Sequence, residues 1–156
     1  MIEAGQKAPN FQLPADSGET ISLDQFRGKK NVVLYFYPRD NTSGCTREAQ
    51  GFRDALDEFD RRDTVVLGVS PDSIKSHQNF KAKHQLNFPL LSDPEHVVAE
   101  MYGAWGKKKM YGREYMGIIR STFVIDKEGI VRKVFPKVKV AGHVEEVLKA
   151  VDELNG

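Results

Sequence analysis

Cys45 is the only cysteine in a chain of 156 residues, and its neighbours are of the types that make a thiol reactive. It closes the segment Pro38-Arg39-Asp40-Asn41-Thr42-Ser43-Gly44-Cys45, after the apolar run Val32-Val33-Leu34-Tyr35-Phe36-Tyr37 and before an amphipathic helical pattern. A strand that passes through a polar turn into a helix leaves the sulfur near unpaired backbone N–H groups and the positive end of the helix dipole. That setting favours the thiolate, which is the nucleophilic form. A lone cysteine is often a small buried hydrophobe. Here Asp40 through Gly44 reads as a solvated turn that offers the sulfur no apolar pocket, so the expectation is a reactive thiol.

The elements that must position this thiol can be read from periodicity. Phe11 and Leu13, then Ile21 and Leu23, alternate across Pro14–Glu19 and predict an N-terminal β-hairpin. Residues 31–37 are apolar almost throughout, as in a central strand covered on both faces. From Thr46 to Arg62, Ala49, Phe52, Ala55, Leu56 and Phe59 recur at helical spacing, so Cys45 opens that helix. Residues 64–70 give a second buried strand, and Pro71-Asp72-Ser73 starts a weaker helix through about His84, completing a β-α-β unit.

Further along, Pro89-Leu90-Leu91 is a short apolar piece. Ser92-Asp93-Pro94 then supplies a cap followed by a first-turn proline, and Gly103 closes the helix. Strands at about 121–125 and 130–135 flank the turn Asp126–Gly129 and form a hairpin. Val144, Val147, Leu148, Val151 and Leu154 line one face of a last helix, where they are expected to pack on the core. The fold class is α/β, with the strand order left open by spacing alone.

The length suits one domain, residues 1–156, with one sizeable core. A formal charge of +1 with interspersed signs gives no broad footprint for nucleic acid or an anionic membrane, and a small neutral substrate fits better. Lys107-Lys108-Lys109 beside Trp105, Tyr111 and Tyr115 has the composition of a nucleic-acid patch, but is read as a solvated loop. One cysteine excludes an internal disulfide and a cysteine-based zinc cage, and the four histidines lack metal-ligand spacing, so no metal is expected. Neither a Gly-x-Gly-x-x-Gly nor a Walker sequence is present, so no nucleotide cofactor is expected. No apolar signal core or membrane-length run occurs, and a soluble, cytoplasmic protein is expected.

Pro38-x-x-x-Thr42-x-x-Cys45 resembles the active-site motif of the peroxiredoxins. Tyr35-Phe36-Tyr37-Pro38 through Gly44-Cys45-Thr46-x-Glu48-Ala49 is similar to the subgroup called bacterioferritin comigratory protein or peroxiredoxin Q. Gly5-x-x-Ala8-Pro9-x-Phe11, Phe88–Asp93 and Gly117-Ile118-x-Arg120-x-Thr122-Phe123-x-Ile125-Asp126 extend the likeness over nearly the whole chain, and Trp105-Gly106-Lys107 resembles a loop of that family. The resemblance implies a thioredoxin-like fold with a central mixed sheet flanked by helices, and a thiol-dependent peroxidase of antioxidant function. Its substrates would be hydrogen peroxide and organic hydroperoxides, reduced through a sulfenic acid at Cys45. It also implies a monomer or weak homodimer.

By the same resemblance Thr42 contributes a hydroxyl and Arg120 a guanidinium beside Cys45. Pro38, which lacks an N–H and fixes its own φ, would shape the turn and screen the sulfur. Glu48, three residues along the helix, is placed to orient Arg120. Each has a plainer role: Thr42 as a helix cap, Pro38 as the end of the strand, Glu48 as an acid in the first turn, Arg120 as a strand-edge charge. Many members of the subgroup carry a second, resolving cysteine five positions after the first, where this chain has Gln50, and others carry one in the following helix, where it has residues such as Lys81. A one-cysteine mechanism is therefore expected, with an external thiol (thioredoxin, glutaredoxin or glutathione) as reductant. The competing readings are a thiol redox sensor or holdase, and a thioredoxin-like binding module with an inert Cys45.

Overall fold

The computed structural model describes residues 1–155. After the N-terminal hairpin of β1 (Gln12–Pro14) and β2 (Thr20–Ser22), β3 (Asn31–Phe36) leads into α1 (Ser43–Asp54) and α2 (Leu56–Asp60). β4 (Thr64–Ser70), α3 (Ile74–His84), β5 (Leu90–Ser92) and α4 (Val97–Tyr102) follow. A second hairpin, β6 (Trp105–Met110) and β7 (Arg113–Ile118), precedes β8 (Ser121–Ile125), β9 (Val131–Phe135) and α5 (His143–Asn155). The central sheet has the order β5-β4-β3-β8-β9, with β3, β4 and β5 parallel and β8 and β9 joined antiparallel. This is the mixed, helix-flanked sheet that the resemblance implied.

Strand alternation sorts β3 into two cores. Val32, Leu34 and Phe36 face one side, against the N-terminal hairpin and Val98, Ala99 and Tyr102 of α4. Val33, Tyr35 and Tyr37 face the other, against Ala49 and Phe52 of α1, Phe59, Phe80 and Val147 and Val151 of α5. An apolar run without alternation in the sequence thus reflects a strand covered twice.

Four local expectations give way to the structure. The helix expected from Thr46 to Arg62 begins earlier, at Ser43, and breaks at Ala55 (φ −99, ψ 4), which lets Phe52 and Phe59 both stay in the core while the chain changes direction. No glycine or proline marks the break, so periodicity runs straight through it. Ser92 is the last residue of β5 rather than a helix cap; α4 starts at Val97 after a left-handed His96, and Asp93 accepts a hydrogen bond from the Ala99 N–H at 3.0 Å instead. Lys107-Lys108-Lys109 is not a loop but the middle of β6, because Tyr111 (φ 54) and Gly112 (φ 76) make the two-residue, positive-φ turn that closes a hairpin. Finally, Cys45 does not sit in a solvated turn: it is 1% exposed and joins the apolar cluster of Tyr35 and Phe52, because it lies on the face of α1 that also carries Ala49 and Phe52.

Among the described residues, no helix is long and apolar enough to cross a membrane. In β4, Gly68 lies directly opposite Tyr35 of β3, and a Cβ there would stand 3.0 Å from the Tyr35 hydroxyl and ring. Gly68→Ala should therefore lower stability by about 1–3 kcal/mol through overpacking. Adding Tyr35→Phe should restore part of the loss. Urea denaturation of the single and double variants checks both; an unchanged midpoint for Gly68→Ala would show that the Tyr35 ring has room to yield.

Candidate active site

Antiparallel pairing of β3 with β8 sets Phe36 opposite Ser121, so the end of β3 and the start of β8 meet at one edge of the sheet. Cys45 follows β3 by a short loop and Arg120 immediately precedes β8. The two side chains, 75 residues apart in sequence, meet there: Arg120 Nη2 donates to Cys45 Sγ at 3.2 Å. Its other arm, Nη1, donates to Glu48 Oε1 at 2.7 Å. Cys45 is the third residue and Glu48 the sixth of α1, so one helical turn separates the two acceptors and one planar guanidinium spans them. Gly44 keeps this approach open, since a Cβ there would lie 3.3 Å from Arg120 Nη2.

Charge is handled here in a largely dry environment. Burial pushes the Glu48 carboxyl up from 4.5 to about 7, against the pull of the Arg120 charge and hydrogen bond. Glu48 Oε2 and the Tyr35 hydroxyl are buried without hydrogen-bond partners. Burial, followed by the charges of Glu48 and Cys45, pushes the Tyr35 phenol well above its usual range. His143, at the start of α5, stacks edge-on against Phe52 and Phe135 and shares a 2.8 Å hydrogen bond with the Thr122 hydroxyl. Burial and then the Arg120 charge hold it down at about 4.

The four companions expected for Cys45 fare differently. Arg120 and Glu48 are drawn into one cluster with the sulfur. Thr42 occupies the helix N-cap, where its carbonyl accepts from the Thr46 N–H at 2.9 Å, but its hydroxyl donates to the Arg39 carbonyl at 3.0 Å and not to the thiol. Pro38 is half-buried just past the end of β3.

A group that the sequence reading missed holds the loop between Pro38 and Cys45 in place. Asp40 is buried; its Oδ1 accepts from Tyr37 Oη at 2.7 Å, and its Oδ2 lies 2.8 Å from Ser76 Oγ and 2.7 Å from His77 Nδ1. The Asp40 N–H donates to Asp72 Oδ2, which also accepts from Ser70 Oγ. Asp40, Asp72 and His77 bring three metal-type ligand atoms within 4.8 Å of one another, yet these atoms already bond to protein groups, and His77 Nε2 lies 2.9 Å from the Leu91 carbonyl. Their arrangement ties the loop to α3 and β5. Only a pattern linking positions more than thirty residues apart would have revealed it.

A model of the AhpC/TSA family matches residues 4–134. The chain belongs to the AhpC/TSA family. It is 56% identical over 147 residues to a bcp peroxiredoxin of Coxiella burnetii, covering 94% of this chain and 97% of that one. It is 53% identical over 154 residues to peroxiredoxin Bcp of Bacillus subtilis, covering 99% and 98%. A structure of the bacterioferritin comigratory protein of Xanthomonas campestris, studied for alkyl peroxide reduction, matches with a TM-score of 0.89 at 40% identity, covering 94% and 92%. Within the AhpC/TSA family this chain thus falls among the Bcp and PrxQ peroxiredoxins, which are thiol-dependent peroxidases with the thioredoxin fold.

The raised Glu48 value has a measurable consequence for this peroxiredoxin. The unfolded chain releases the Glu48 proton near pH 4.5 and the folded protein near 7, so the folded state holds the extra proton between them and loses stability as pH rises through that window. Glu48→Gln removes this loss. Its stability relative to the native chain should rise from pH 4.5 to 7 by up to about 3 kcal/mol, as read by urea denaturation. His143 acts in the opposite sense, since its neutral folded form makes stability fall as pH drops from 6.5 towards 4. A flat difference between Glu48→Gln and the native chain would mean that the carboxyl titrates normally.

Proposed function

We propose that Cys45 is the peroxidatic nucleophile of a one-cysteine peroxidase acting on hydrogen peroxide and alkyl hydroperoxides. The observation that carries this reading is the single guanidinium shared between Cys45 Sγ, at 3.2 Å, and the buried Glu48, at 2.7 Å. The sulfur attacks one peroxide oxygen, the O–O bond breaks, and its electron pair leaves on the other oxygen as hydroxide or alkoxide. Full ionisation of an ordinary thiol near pKa 8.5 gains at most about 30-fold at neutral pH. Rapid turnover needs donors aimed at the leaving oxygen.

In this scheme Arg120 supplies those donors, and Glu48 acts as a positioning residue that fixes the guanidinium plane. Arginine suits the task because its charge is permanent and its fork is rigid. Thr42 offers its hydroxyl to the peroxide after releasing the Arg39 carbonyl, and Pro38 shields the sulfur from bulk water. Burial of Cys45 supports this, since a dry site strengthens each of these interactions. The α/β xanthomonad protein's alkyl peroxide activity supports the wider substrate range.

The product at Cys45 is a sulfenic acid, with water or alcohol released. Gln50 lies on α1, and Lys81 on α3 pairs with Asp16 at 2.9 Å, so neither position offers a resolving thiol. An external thiol, whether thioredoxin, glutaredoxin or glutathione, resolves the acid by forming an intermolecular disulfide. We read the protein as a cytoplasmic monomer or weak homodimer.

Peroxide consumption with these three thiols side by side tests the proposal. Cys45→Ser should abolish turnover, and Arg120→Ala should reduce it on the order of 100-fold or more with the fold retained by circular dichroism. Thr42→Val should lose on the order of tenfold. Intact mass after excess peroxide should show oxygen added at Cys45. A native protein that turns over slowly with every thiol would instead favour a redox sensor, and unaltered turnover in Cys45→Ser or Arg120→Ala would sink the assignment.

A further inference from the structure

Beside Arg120 the surface opens into a pocket of about 400 Å³ lined by Lys107, Lys108, Lys109, Arg120, Lys137 and the apolar Ile119 and Val138. No carboxylate lines it. Lys107 reaches Glu114 only at 3.9 Å, while Lys108, Lys109 and Lys137 join no ion pair among the described residues. The chain path produces this concentration of charge, because β6 carries three consecutive lysines and its partner β7 ends at Ile118, two residues before Arg120. Gly117, opposite Gly106 on the paired strand, lets the stem of Lys108 lie close: a Cβ at Gly117 would be 3.1 Å from Lys108 Cδ.

Lys108 belongs to the same electrostatic neighbourhood as the thiol. Its ammonium is held below the usual lysine range by burial first and by Arg120 next, with Cys45 acting in the opposite direction. Five cations around one concavity repel one another, and an anion that enters relieves that repulsion. One of the five, Arg120, is also the group in contact with Cys45 Sγ.

We infer that this pocket docks a low-molecular-weight thiol bearing carboxylates, of the glutathione type, as the reductant that resolves the Cys45 sulfenic acid. The inference rests on the peroxidase reading above and names the partner of the same site. Size follows from burial and volume: the sulfur is 1% exposed, and the Arg120 that touches it also lines a pocket of about 400 Å³, which suits a small molecule rather than a protein. The thiolate attacks the sulfenic sulfur, an S–S bond forms, the S–O bond breaks, and the oxygen leaves as water after taking up a proton. A second thiol then attacks the mixed disulfide, which returns Cys45 to the thiol and releases the symmetrical disulfide. Two thiols are oxidised for each peroxide reduced.

A carboxylate could also enter on the hydroperoxide, and Met110, Tyr111, Tyr115 and Met116 expose apolar surface on the same hairpin. The experiment therefore separates the two half-reactions by stopped flow, comparing the native chain with Lys109→Gln combined with Lys137→Gln. Each is oxidised by one equivalent of hydrogen peroxide and then mixed with glutathione or with uncharged 2-mercaptoethanol. Oxidation by hydrogen peroxide should be unchanged. Reduction by glutathione should fall about tenfold at low salt and the loss should shrink as salt is added, while reduction by 2-mercaptoethanol holds.

Equal losses with both thiols, or none with glutathione, would overturn the inference. With a carboxylated hydroperoxide replacing hydrogen peroxide in the first mixing step, a loss confined to that step would also overturn it and assign the pocket to the substrate. If Cys45 takes up no oxygen in the first mixing step, the peroxidase reading itself fails and the docking site falls with it.

Discussion

The guanidinium of Arg120 is held at two points, a buried carboxylate and a buried sulfur, and this double hold keeps a cation in hydrogen-bond contact with Cys45. A lysine would deliver charge without direction, because an ammonium on a flexible stem cannot satisfy two acceptors through one rigid plane. Glu48 supplies the second anchor from the same helix that carries the sulfur, so any shift of α1 carries both acceptors together. Antiparallel β8 brings the arginine to the end of β3, and the Asp40 cluster fixes the loop that connects β3 to Cys45. The sheet, the helix and the buried polar loop anchor thus converge on one contact of 3.2 Å.

Such a contact is maintained against a stability cost. Glu48 keeps one oxygen unpartnered, Tyr35 buries a phenol without a partner, and His143 is retained in its neutral form. Each would be better solvated in the unfolded chain. The apolar cores on both faces of the sheet offset these losses, and the aromatic stack of Tyr35 on Phe52, with centroids 4.7 Å apart, lies directly beside the polar groups it must support. Strain of this kind belongs where charge has to be controlled. It also explains why the region around Cys45 holds most of the displaced ionisation behaviour in the molecule.

Much of this architecture was legible before the structure. The continuous apolar run of β3, the boundaries of β8, the close of α4 at Gly103 and the stripe of α5 all follow from periodicity and capping. Arg120 and Glu48 were legible as residue types, through the resemblance, but their shared hydrogen-bond geometry was not. What escaped depends on contacts distant in sequence. The burial of Cys45 depends on a cluster that draws in Val124 and Val147, the role of Asp40 depends on His77, and the strand character of the lysine run depends on a hairpin partner that a basic composition disguises.

The burial that serves the first half of a peroxidase cycle complicates the second. In the proposed cycle, excluding water from Cys45 strengthens the field of Arg120 on a departing oxygen, because a dry site screens charge weakly. Once the sulfur carries oxygen, the same exclusion stands between it and any reductant, and this chain holds no second cysteine to approach from within. Arg120, which touches the sulfur, also lines the lysine-rich cavity, and the proposed access runs beside it. A guanidinium fixed by Glu48 can keep its contact with sulfur while its exposed edge borders the lysine-lined cavity. In the proposed cycle, peroxide and thiol would make use of one arginine in succession, the first through the charge it directs inward and the second through the charge it shows to solvent.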